Sequence, residues 1–535
     1  MGGLAGPIGV GHGKTLLDLL TPMVVPNCKV AVLLLPTNLK PQLLENDLQF
    51  YGQHWKLPNI AGSRFFIPGR PTLHVVAYSE LSGAKNTDLL SQLKPDTLIL
   101  DEAHSLSNRT AARTKRYRRY VAANPATRVF IWSGTLQKRS MTDWADLFND
   151  ALKEGSPAPL SYPVIQEWAG VIDPSEYPRP PGQLLKMCNV GETVEDAYQR
   201  RVLDTPGVVS SGDAGSSKCS LVVRRFETKL PSRLAVLLDE LEETAERPDG
   251  EQLVDAISVN RCARQLAAGF YYKWRYPRKE SPEVIDKWLR IRKEWHRELR
   301  EELHGAREHL DSPLLLTKAA IRWHEGYVHI VRDENGEAIS RQVVPPFTKK
   351  GPQPVWASQW WPEWKLVRSS VEPETEAVWV DDFFVKRCVE WLREKPGLCW
   401  YEFSAFADAM RKAMPEAVFC GPGEEGAQRT LALSGTEKVI ISIRANYQGK
   451  KLQMFHRNLV ANPFSDGATW EQLIGRTDRQ GQLAPEVSVE IPLHTKALRE
   501  SLDTGRRLSQ GIQQRFGIQQ LLASKARFEI GEDAE

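Results

Sequence analysis

Two short stretches of the sequence carry residues that could bind and hydrolyse a nucleoside triphosphate. The first is GPIGVGHGKT, residues 6–15, where a glycine-rich turn ends in Gly-Lys-Thr. Backbone N–H groups of such a turn, together with the positive end of the helix that follows, can bind a polyphosphate. Lys14 would then reach the terminal phosphates, and the Thr15 hydroxyl would bind Mg²⁺. An ordinary glycine-rich turn between a strand and a helix is the alternative.

The second stretch is LILDEAH, residues 98–104, an apolar run that ends in two adjacent acids. Acids at the end of a buried strand are costly unless a cation compensates them. We expect Asp101 to hold Mg²⁺ through water, and Glu102 to orient and deprotonate the attacking water. Acids exposed at a strand end are the alternative, which leaves the preceding apolar run unexplained.

Two further stretches could complete such a site. SGT, residues 133–135, follows another apolar run and is weak evidence alone. QLIGRTDRQGQ, residues 472–482, places Arg476 and Arg479 three apart, on one face of a predicted helical turn. Two guanidinium groups so placed can stabilise charge on a transferring phosphoryl group. A pair of surface arginines is the alternative.

The elements that must position these residues form two α/β halves. Four apolar runs near the N-terminus are dense in Val, Leu and Ile without alternation, as in strands covered on both faces. They are residues 30–36, 74–79, 96–102 and 128–135, with helical patterns such as 38–52 between them. The α/β pattern returns near residue 376, with a helix at 381–394 and strands at 397–403, 437–443, 456–463 and 487–493.

The middle of the chain has a different pattern. Residues 156–220 are rich in Pro, Gly and Ser and read as connector and loop. Residues 231–310 are helical, and one long amphipathic helix is predicted from apolar residues at spacings of three and four. These are Trp288, Ile291, Trp295, Leu299, Leu303, Ala306 and Leu310. We therefore predict a first lobe at 1–155, a connector and mainly helical insertion at 156–375, and a second lobe at 376–535 with a helical C-terminus.

Charge, apolar runs and cysteines exclude some classes of protein. The net charge is +3, and no apolar run is long enough to cross a membrane. Seven scattered cysteines without a CxxC pair suggest neither a zinc site nor a disulfide framework, and a cytoplasmic protein is expected. Residues 1–150 hold 17 Lys and Arg against 11 Asp and Glu, with five of the bases in RTKRYRR, residues 113–119. This cluster could contact a phosphate backbone or form a solvated helix face.

In this order, the stretches resemble the motifs of the superfamily 2 DEAD/DEAH-type helicases and translocases. GVGHGKT is similar to motif I, LLLPTNL (33–39) to motif Ia, DEAH to motif II, SGT to motif III and QLIGRTDRQGQ to motif VI. DEAHSLSN, VVRRFETKLPSR (222–233), RCARQLAAGFYY (261–272) and the ending GRTDRQGQ resemble the branch of Swi/Snf-type ATPases and their shorter, often phage-encoded relatives. A bacterial or phage-infected cell is the setting that this branch implies.

The resemblance implies two RecA-like, parallel-sheet lobes that bind ATP and Mg²⁺ between them. One wall of that site would consist of Gly11, Gly13, Lys14, Thr15, Asp101 and Glu102. Gln472, Arg476 and Arg479 would reach across from the other lobe. Ser133, Gly134 and Thr135 would couple the phosphate state to lobe movement. Pro36 and Thr37 would contact backbone phosphates of a nucleic acid, expected to be DNA, with little sequence specificity.

Three departures from the family pattern stand out. Ile8 occupies a position that is usually Ala or Gly, which leaves a question about the geometry of the turn. Only seven residues precede it, and the segment that contacts adenine in relatives is missing, so we expect either that the chain starts late or that base recognition is loose. RANYQGKKLQM, residues 444–454, keeps only traces of motif V, which puts the coupling between ATP and nucleic acid in question.

We therefore expect an ATP-dependent helicase or translocase that moves on DNA and separates or remodels strands. The alternatives are a duplex-DNA translocase that displaces proteins without unwinding, and a catalytically decayed DNA-binding scaffold. A P-loop kinase or metabolic ATPase does not account for QLIGRTDRQGQ. YYKWRYPRK, residues 271–279, is either a stacking surface for exposed bases, with Lys273, Arg275 and Arg278 on phosphates, or an aromatic core with a basic rim.

Overall fold

The computed structural model describes residues 2–530 apart from 138–139, 174–178, 212–216, 252, 254–255, 305–309, 333–337 and 347–354. The predicted Ala306 position and the acidic end of the chain lie outside the described residues. Two parallel sheets dominate the fold, and each is covered by helices. The predicted α/β class with two parallel-sheet lobes is confirmed.

The first sheet has six parallel strands in the order β1-β6-β5-β2-β4-β3. The strands are β1 (Gly3–Pro7), β2 (Val30–Leu35), β3 (Asn59–Ile60), β4 (Thr72–Ala77), β5 (Thr97–Asp101) and β6 (Arg128–Ser133). The helices of this part are α1 (Lys14–Val24), α2 (Leu39–Gln42), α3 (Leu48–Gly52), α4 (Tyr78–Ser82), α5 (Leu89–Leu93), α6 (Ala112–Ala123), α7 (Ala145–Leu152), α8 (Tyr162–Ile172) and α9 (Val194–Asp204). The four predicted strands of this lobe are all present.

The segment read as connector and loop is partly helical, so that reading was wrong. α8 and α9 place Ile165, Tyr198 and Val202 in the apolar core of the first lobe. These helices carry their apolar residues at helical spacing, which the surrounding Pro and Gly obscured. Residues 207–209 then run beside β1, where the Ala5 N–H donates to the Gly207 carbonyl oxygen at 2.9 Å.

The middle of the chain begins with strand β7 (Ser220–Phe226), which belongs to the second sheet. The insertion that follows contains α10 (Ser232–Thr244), α11 (Ala256–Ala267), β8 (Phe270–Arg275), α12 (Pro282–His304), α13 (Pro313–Glu325), β9 (Tyr327–Arg332), β10 (Ala338–Val344), α14 (Trp361–Val367) and β11 (Glu374–Trp379). The predicted long helix is α12. The two antiparallel pairs, β8 with β11 and β9 with β10, were not predicted. The domain boundaries at 155 and 375 stay a prediction, although β7 lies between them in sequence.

The second sheet has seven parallel strands in the order β13-β14-β12-β15-β16-β7-β17. Its remaining strands are β12 (Gly397–Tyr401), β13 (Val418–Cys420), β14 (Lys438–Ser442), β15 (Arg457–Val460), β16 (Glu486–Pro492) and β17 (Ala526–Glu529). The helices are α15 (Phe383–Glu394), α16 (Ser404–Ala413), α17 (Glu424–Leu431), α18 (Ile443–Asn446), α19 (Gly467–Ile474) and α20 (Lys496–Phe516). The C-terminus is helical as predicted, but it ends in a strand that was missed.

Helix α20 packs on both lobes. Near its start, Leu502 lies in the core of the second lobe. At its end, Phe516 lies in the core of the first lobe, with its ring centroid 5.1 Å from that of Trp144. Arg515 is buried beside it and donates to the Ile172 carbonyl oxygen at 3.0 Å. The two cores are therefore joined by a continuous helix as well as by the connector.

The basic cluster at 113–119 lies on α6, and Arg116 fits neither reading of it, because its side chain is buried. For the partly exposed bases the contact with a phosphate backbone stays a prediction. Arg116 is buried and makes two 2.9 Å hydrogen bonds to the carboxylate of Asp311, at the start of α13. Its remaining nitrogen donates to the carbonyl oxygens of Leu81 and Gly83. Arg118 pairs with Asp146 at 2.7 Å. The cluster therefore docks the insertion onto the first lobe.

Two of the four basic residues of YYKWRYPRK pair with acids of the protein. Arg275 pairs with Glu374, and Arg278 pairs with Glu372, both at the surface. Phe270 and Tyr271, at the start of β8, are buried. This arrangement favours the aromatic core with a basic rim. Across the described residues, no helix is long and apolar enough to cross a membrane.

The buried pair of Arg116 and Asp311 generates a prediction about stability. Asp311→Leu leaves a buried guanidinium without its carboxylate, and we expect a loss of about 3–5 kcal/mol of unfolding free energy. The measurement is urea denaturation followed by far-UV circular dichroism. Glu374→Leu, which breaks an exposed pair, is the matched control and should cost less than about 1 kcal/mol. Equal losses in the two variants would contradict the docking role.

Candidate functional site

The turn between β1 and α1 has the backbone that its glycines predict. Gly11 and Gly13 have φ values of 86° and 81°, in the left-handed region that glycine adopts without a side-chain clash. Helix α1 begins at Lys14, directly after Gly13. The Gly9 N–H donates to the Ser211 hydroxyl at 3.0 Å, so the connector braces the turn from outside.

Ile8 is a core residue rather than an obstruction. Its side chain is buried and packs in the same apolar cluster as Leu33, Ile99 and Trp132. It does not line the cleft that the turn borders. A larger side chain at this position therefore stabilises the underside of the turn and leaves the phosphate side open.

Glu102 lies at the centre of the site. It follows β5 with a φ of 48°, a left-handed backbone that is uncommon for a residue with a side chain. One carboxylate oxygen lies 3.5 Å from Lys14 Nζ, and the other lies 3.4 Å from His104 Nδ1. Burial alone would raise the pKa of Glu102, but Lys14, His104 and Gln472 hold it well below its usual range. Glu102 is therefore ionised at neutral pH.

Two neighbouring acids lack such compensation. Burial and the charge of Glu102 raise the pKa of Asp101 to about 7, although Lys14 opposes this. Asp18, one turn into α1, is buried beside Asp101, and burial raises its pKa well above the usual range. Each has a carboxylate oxygen with no hydrogen-bond partner among the described residues. Sequence analysis missed Asp18, whose only signal is an acid on the buried face of an apolar helix.

This donor set fits a divalent cation. Asp101 and Thr15 both line the cleft, and an unpartnered buried carboxylate oxygen is what an incoming cation would satisfy. Mg²⁺ commonly takes one or two protein ligands and completes its shell with phosphate oxygens and water. The described residues contain no cluster of three or more His, Cys, Asp and Glu side chains that would hold a metal without a substrate.

The predicted coupling stretch, residues 133–135, contacts Glu102 and its neighbour His104. Ser133 Oγ donates to Glu102 at 3.1 Å, and Thr135 Oγ1 lies 3.3 Å from His104 Nδ1. Gly134 runs directly against the glycine-rich turn, because a Cβ there would lie 2.9 Å from the Ile8 carbonyl oxygen. This stretch is therefore in contact with the turn, with Glu102 and with His104 at once.

The second lobe supplies the opposite wall. Gln472 Nε2 donates to Glu102 Oε1 at 3.1 Å across the cleft. Arg476 is buried and donates to the Gln472 side chain at 2.9 Å, and burial lowers its pKa to about 10. Arg479 also lines the cleft. Helix α19 ends at Ile474, so the two arginines lie in the turn that follows it and not in a helical turn as predicted.

Gln448 is a site residue that sequence analysis missed. Its side-chain Nε2 lies 3.3 Å from His104 Nε2, and its carbonyl oxygen accepts a 3.0 Å hydrogen bond from Asn38. With the amide donating to Nε2, the His104 proton is on Nδ1, facing Glu102. The next residue, Gly449, has a φ of 72°, and a Cβ there would lie 1.8 Å from a Leu39 methyl carbon. The altered segment 444–454 is thus in close contact with the first lobe.

A cleft of about 940 Å³ lies between the lobes, and Asp18, Ser133, Gly134 and Thr135 do not line it. The predicted residues Gly11, Gly13, Lys14, Thr15, Asp101, Glu102, Gln472, Arg476 and Arg479 all line it. The lining also includes residues that were not predicted, which are His12, Gln42, Asp47, Tyr51, Ser217, Lys218, Gln448 and Lys451. Most of these are polar residues in loops, where no periodicity marks them.

Pro36 and Thr37 lie elsewhere. They follow β2 at the carboxyl edge of the first sheet, and Thr37 is exposed, with its hydroxyl 2.7 Å from that of Ser79. Neither residue lines the cleft. Their predicted contact with a phosphate backbone stays a prediction.

Comparisons with known proteins give remote likenesses to solved structures and no match by sequence. No family model and no curated protein matches the chain. Among solved structures, the chain aligns with a variant of S. cerevisiae Dbp5 bound to RNA and ADP BeF3. The TM-score is 0.40 and the identity 10%, over 99% of this chain and 86% of that one. A likeness this remote does not assign a function.

Buried acids also occur behind the wall that Gln472, Arg476 and Arg479 form. Glu471 is buried and accepts a 2.6 Å hydrogen bond from the Leu521 N–H, and burial raises its pKa to about 8. Asp478 pairs with Lys525 at 2.7 Å. The C-terminal segment after α20 therefore holds the back of this wall through two carboxyl groups.

The raised pKa of Glu471 generates a prediction about pH. The folded protein retains a proton that the unfolded chain releases near the ordinary glutamate pKa, so this residue's contribution to stability falls as pH rises toward 8. The free energy of unfolding should fall by about 1.4 kcal/mol for each pH unit over that interval. Glu471→Gln, which can still accept from Leu521, should therefore gain stability over the parent protein between pH 6 and pH 8. Urea unfolding at pH 6, 7 and 8 measures this difference.

Glu390→Gln, at an exposed glutamate on α15, is the control for that series. Its unfolding free energy should follow the parent protein at every pH. Parallel pH profiles for Glu471→Gln and the parent protein would rule out a buried, protonated Glu471.

Proposed function

We propose that this protein is a nucleic-acid-dependent ATPase, a helicase or translocase that hydrolyses ATP in the cleft between its lobes. One observation carries the proposal. A single buried carboxylate, Glu102, is contacted by Lys14 from the glycine-rich turn, by Ser133 and by Gln472 from the second lobe. A general base held from both lobes would respond to their relative position.

The glycine-rich turn would bind the phosphates of ATP. Lys14 Nζ donates to the carbonyl oxygens of Ile8 and Gly9 at 3.2 Å each. In the bound state it would exchange these for phosphate oxygens, which are stronger acceptors. Asp101 and Thr15 would hold Mg²⁺. When bound, Mg²⁺ would neutralise charge that develops on the phosphates during transfer.

Glu102 would orient the attacking water and accept its proton. The Gln472 amide and the Ser133 hydroxyl fix the direction of its two oxygens. When Lys14 turns to the phosphates, its lowering of the Glu102 pKa would be relieved, and the carboxylate would become a stronger base. Arg476 and Arg479 would stabilise the negative charge on the transferring phosphoryl group from the second lobe. Because these groups lie on separate lobes, hydrolysis would require the closed cleft and product release would loosen it.

The substrate track that we propose is DNA, contacted through its phosphates near Pro36 and Thr37. Such contacts carry no base sequence and weaken with salt. The finer output, strand separation or translocation alone, is distinguished by a strand-displacement assay beside a triplex-displacement assay. A decayed scaffold is less well supported, since two buried acids, Asp18 and Asp101, are costly without a cation to bind.

The test is ATP hydrolysis with and without single-stranded DNA, duplex DNA and RNA. We expect stimulated turnover with DNA, and a loss of at least about 100-fold in Glu102→Gln, because the amide cannot accept the proton. Nucleotide binding should survive in that variant. The absence of stimulated turnover in the unaltered protein would refute the motor proposal.

A second test addresses coupling through Gln448. In Gln448→Leu the side-chain contact with His104 is lost, while the Asn38 hydrogen bond to the carbonyl oxygen of residue 448 and the packing of Gly449 on Leu39 remain. We expect nucleic-acid stimulation to fall at least about 10-fold, while the unstimulated rate and the ATP affinity stay near those of the parent protein. Gln428→Leu, on the exposed side of α17, is the control. An equal loss of stimulated and unstimulated rates would contradict a coupling role.

A further inference from the structure

The loop between β3 and β4 exposes an apolar surface. Phe65, Phe66 and Ile67 have 86%, 66% and 46% of their surfaces exposed. We refer to residues 63–70 as the aromatic loop. Two adjacent exposed phenylalanines are unusual in a protein with large apolar cores, and contiguous exposed apolar surface of this kind commonly marks a binding site.

The aromatic loop is held in shape from within. Asn59 is buried, and its side chain bonds to the N–H and the carbonyl oxygen of Ile67 at 2.7 and 3.0 Å and to the Arg70 carbonyl oxygen at 3.1 Å. Arg70 Nη1 donates to the Leu57 carbonyl oxygen at 2.9 Å. The backbone is therefore fixed while the two rings point away from the core. Such a loop can bind without first becoming ordered.

The stretch of chain that contains the aromatic loop carries charges of one sign. Residues 48–79 contain Lys56, Arg64 and Arg70 and no Asp or Glu. Lys56 and Arg64 are exposed, and neither forms an ion pair with another described residue. The same segment exposes Phe50 and Trp55. In RTKRYRR and YYKWRYPRK, by contrast, Arg116, Arg118, Arg119, Arg275 and Arg278 pair with acids of the protein.

We propose that the aromatic loop binds single-stranded nucleic acid, with bases stacked on Phe65 and Phe66 and phosphates near Arg64 and Lys56. Exposed aromatic rings interleaved with basic side chains that have no acidic partner are the combination that binds single strands without sequence preference. The loop leaves the β3 edge of the first sheet, at the opposite edge from β1 and its turn. The proposal rests on the proposed function and adds a contact site outside the ATP cleft.

The test is binding of a fluorescein-labelled 20-nucleotide single strand, measured by fluorescence anisotropy. Phe65→Ala with Phe66→Ala should weaken binding at least about 10-fold, because each stacked base contributes roughly that factor. Phe65→Trp with Phe66→Trp keeps the stacking surfaces and should bind within about 2-fold of the parent protein. Hydrolysis of ATP without nucleic acid should be unchanged in both variants. Val190→Ala, at a fully exposed apolar residue elsewhere in the chain, is the matched control.

Base stacking gives a more direct readout. When the strand contains 2-aminopurine, binding of the parent protein should change the fluorescence of that base. Saturating amounts of the double alanine variant should leave this fluorescence unchanged. Arg64→Gln should weaken binding and reduce the slope of log affinity against log salt by slightly less than one, as expected for one lost phosphate contact.

Unchanged affinity in the double alanine variant would overturn the inference while leaving the motor proposal intact. A variant that binds the strand normally but loses self-association in sedimentation, or loses binding to anionic vesicles, would overturn it in favour of a protein or a lipid surface. If the parent protein binds no nucleic acid and shows no stimulated ATP hydrolysis, the proposed function fails first, and this inference with it.

Discussion

The structure depends on how one buried negative charge, that of Glu102, is compensated. A carboxylate this buried is costly unless cations and hydrogen-bond donors surround it. Here the donors come from four separate parts of the chain, namely Lys14, His104, Ser133 and Gln472. The turn, the end of β5, the end of β6 and α19 must therefore all lie within hydrogen-bond reach of one point. The contact of Gln472 with Glu102 thus links the second lobe to the same point as the first.

The sequence allowed the site to be predicted well where local chemistry determines local structure. Glycines at 11 and 13, an apolar strand ending in Asp101 and Glu102, and the Gln472 segment all line the cleft as expected. Prediction failed where contacts are distant in sequence. Strand β7 pairs with β16 and with β17, which both lie far from it in sequence. Ser220 contacts Pro485, 265 residues away, and Arg224 contacts Glu529, 305 residues away. Gln448 was missed for the same reason, because its role depends on His104, 344 residues away.

Charge in the sequence proved a poor guide to charge on the surface. The five bases of RTKRYRR lie close together on α6, yet Arg116 and Arg118 are paired with Asp311 and Asp146. Arg116 and Asp311 are 195 residues apart, so the sequence gives no sign of their pairing. By contrast, Lys56 and Arg64 are exposed and form no ion pair with another described residue. What remains available to a partner is the excess left after internal pairing.

Helix α20 has a consequence for the thermodynamics of the cleft. If only a connector joined the lobes, each closure would cost much of their freedom to translate and tumble. Because Leu502 and Phe516 anchor one helix in both cores, that freedom is already lost when the chain folds. Closure then costs only a limited rotation between two bodies kept at a high effective concentration. Binding energy from a ligand in the cleft is therefore available for aligning side chains rather than for bringing the lobes together.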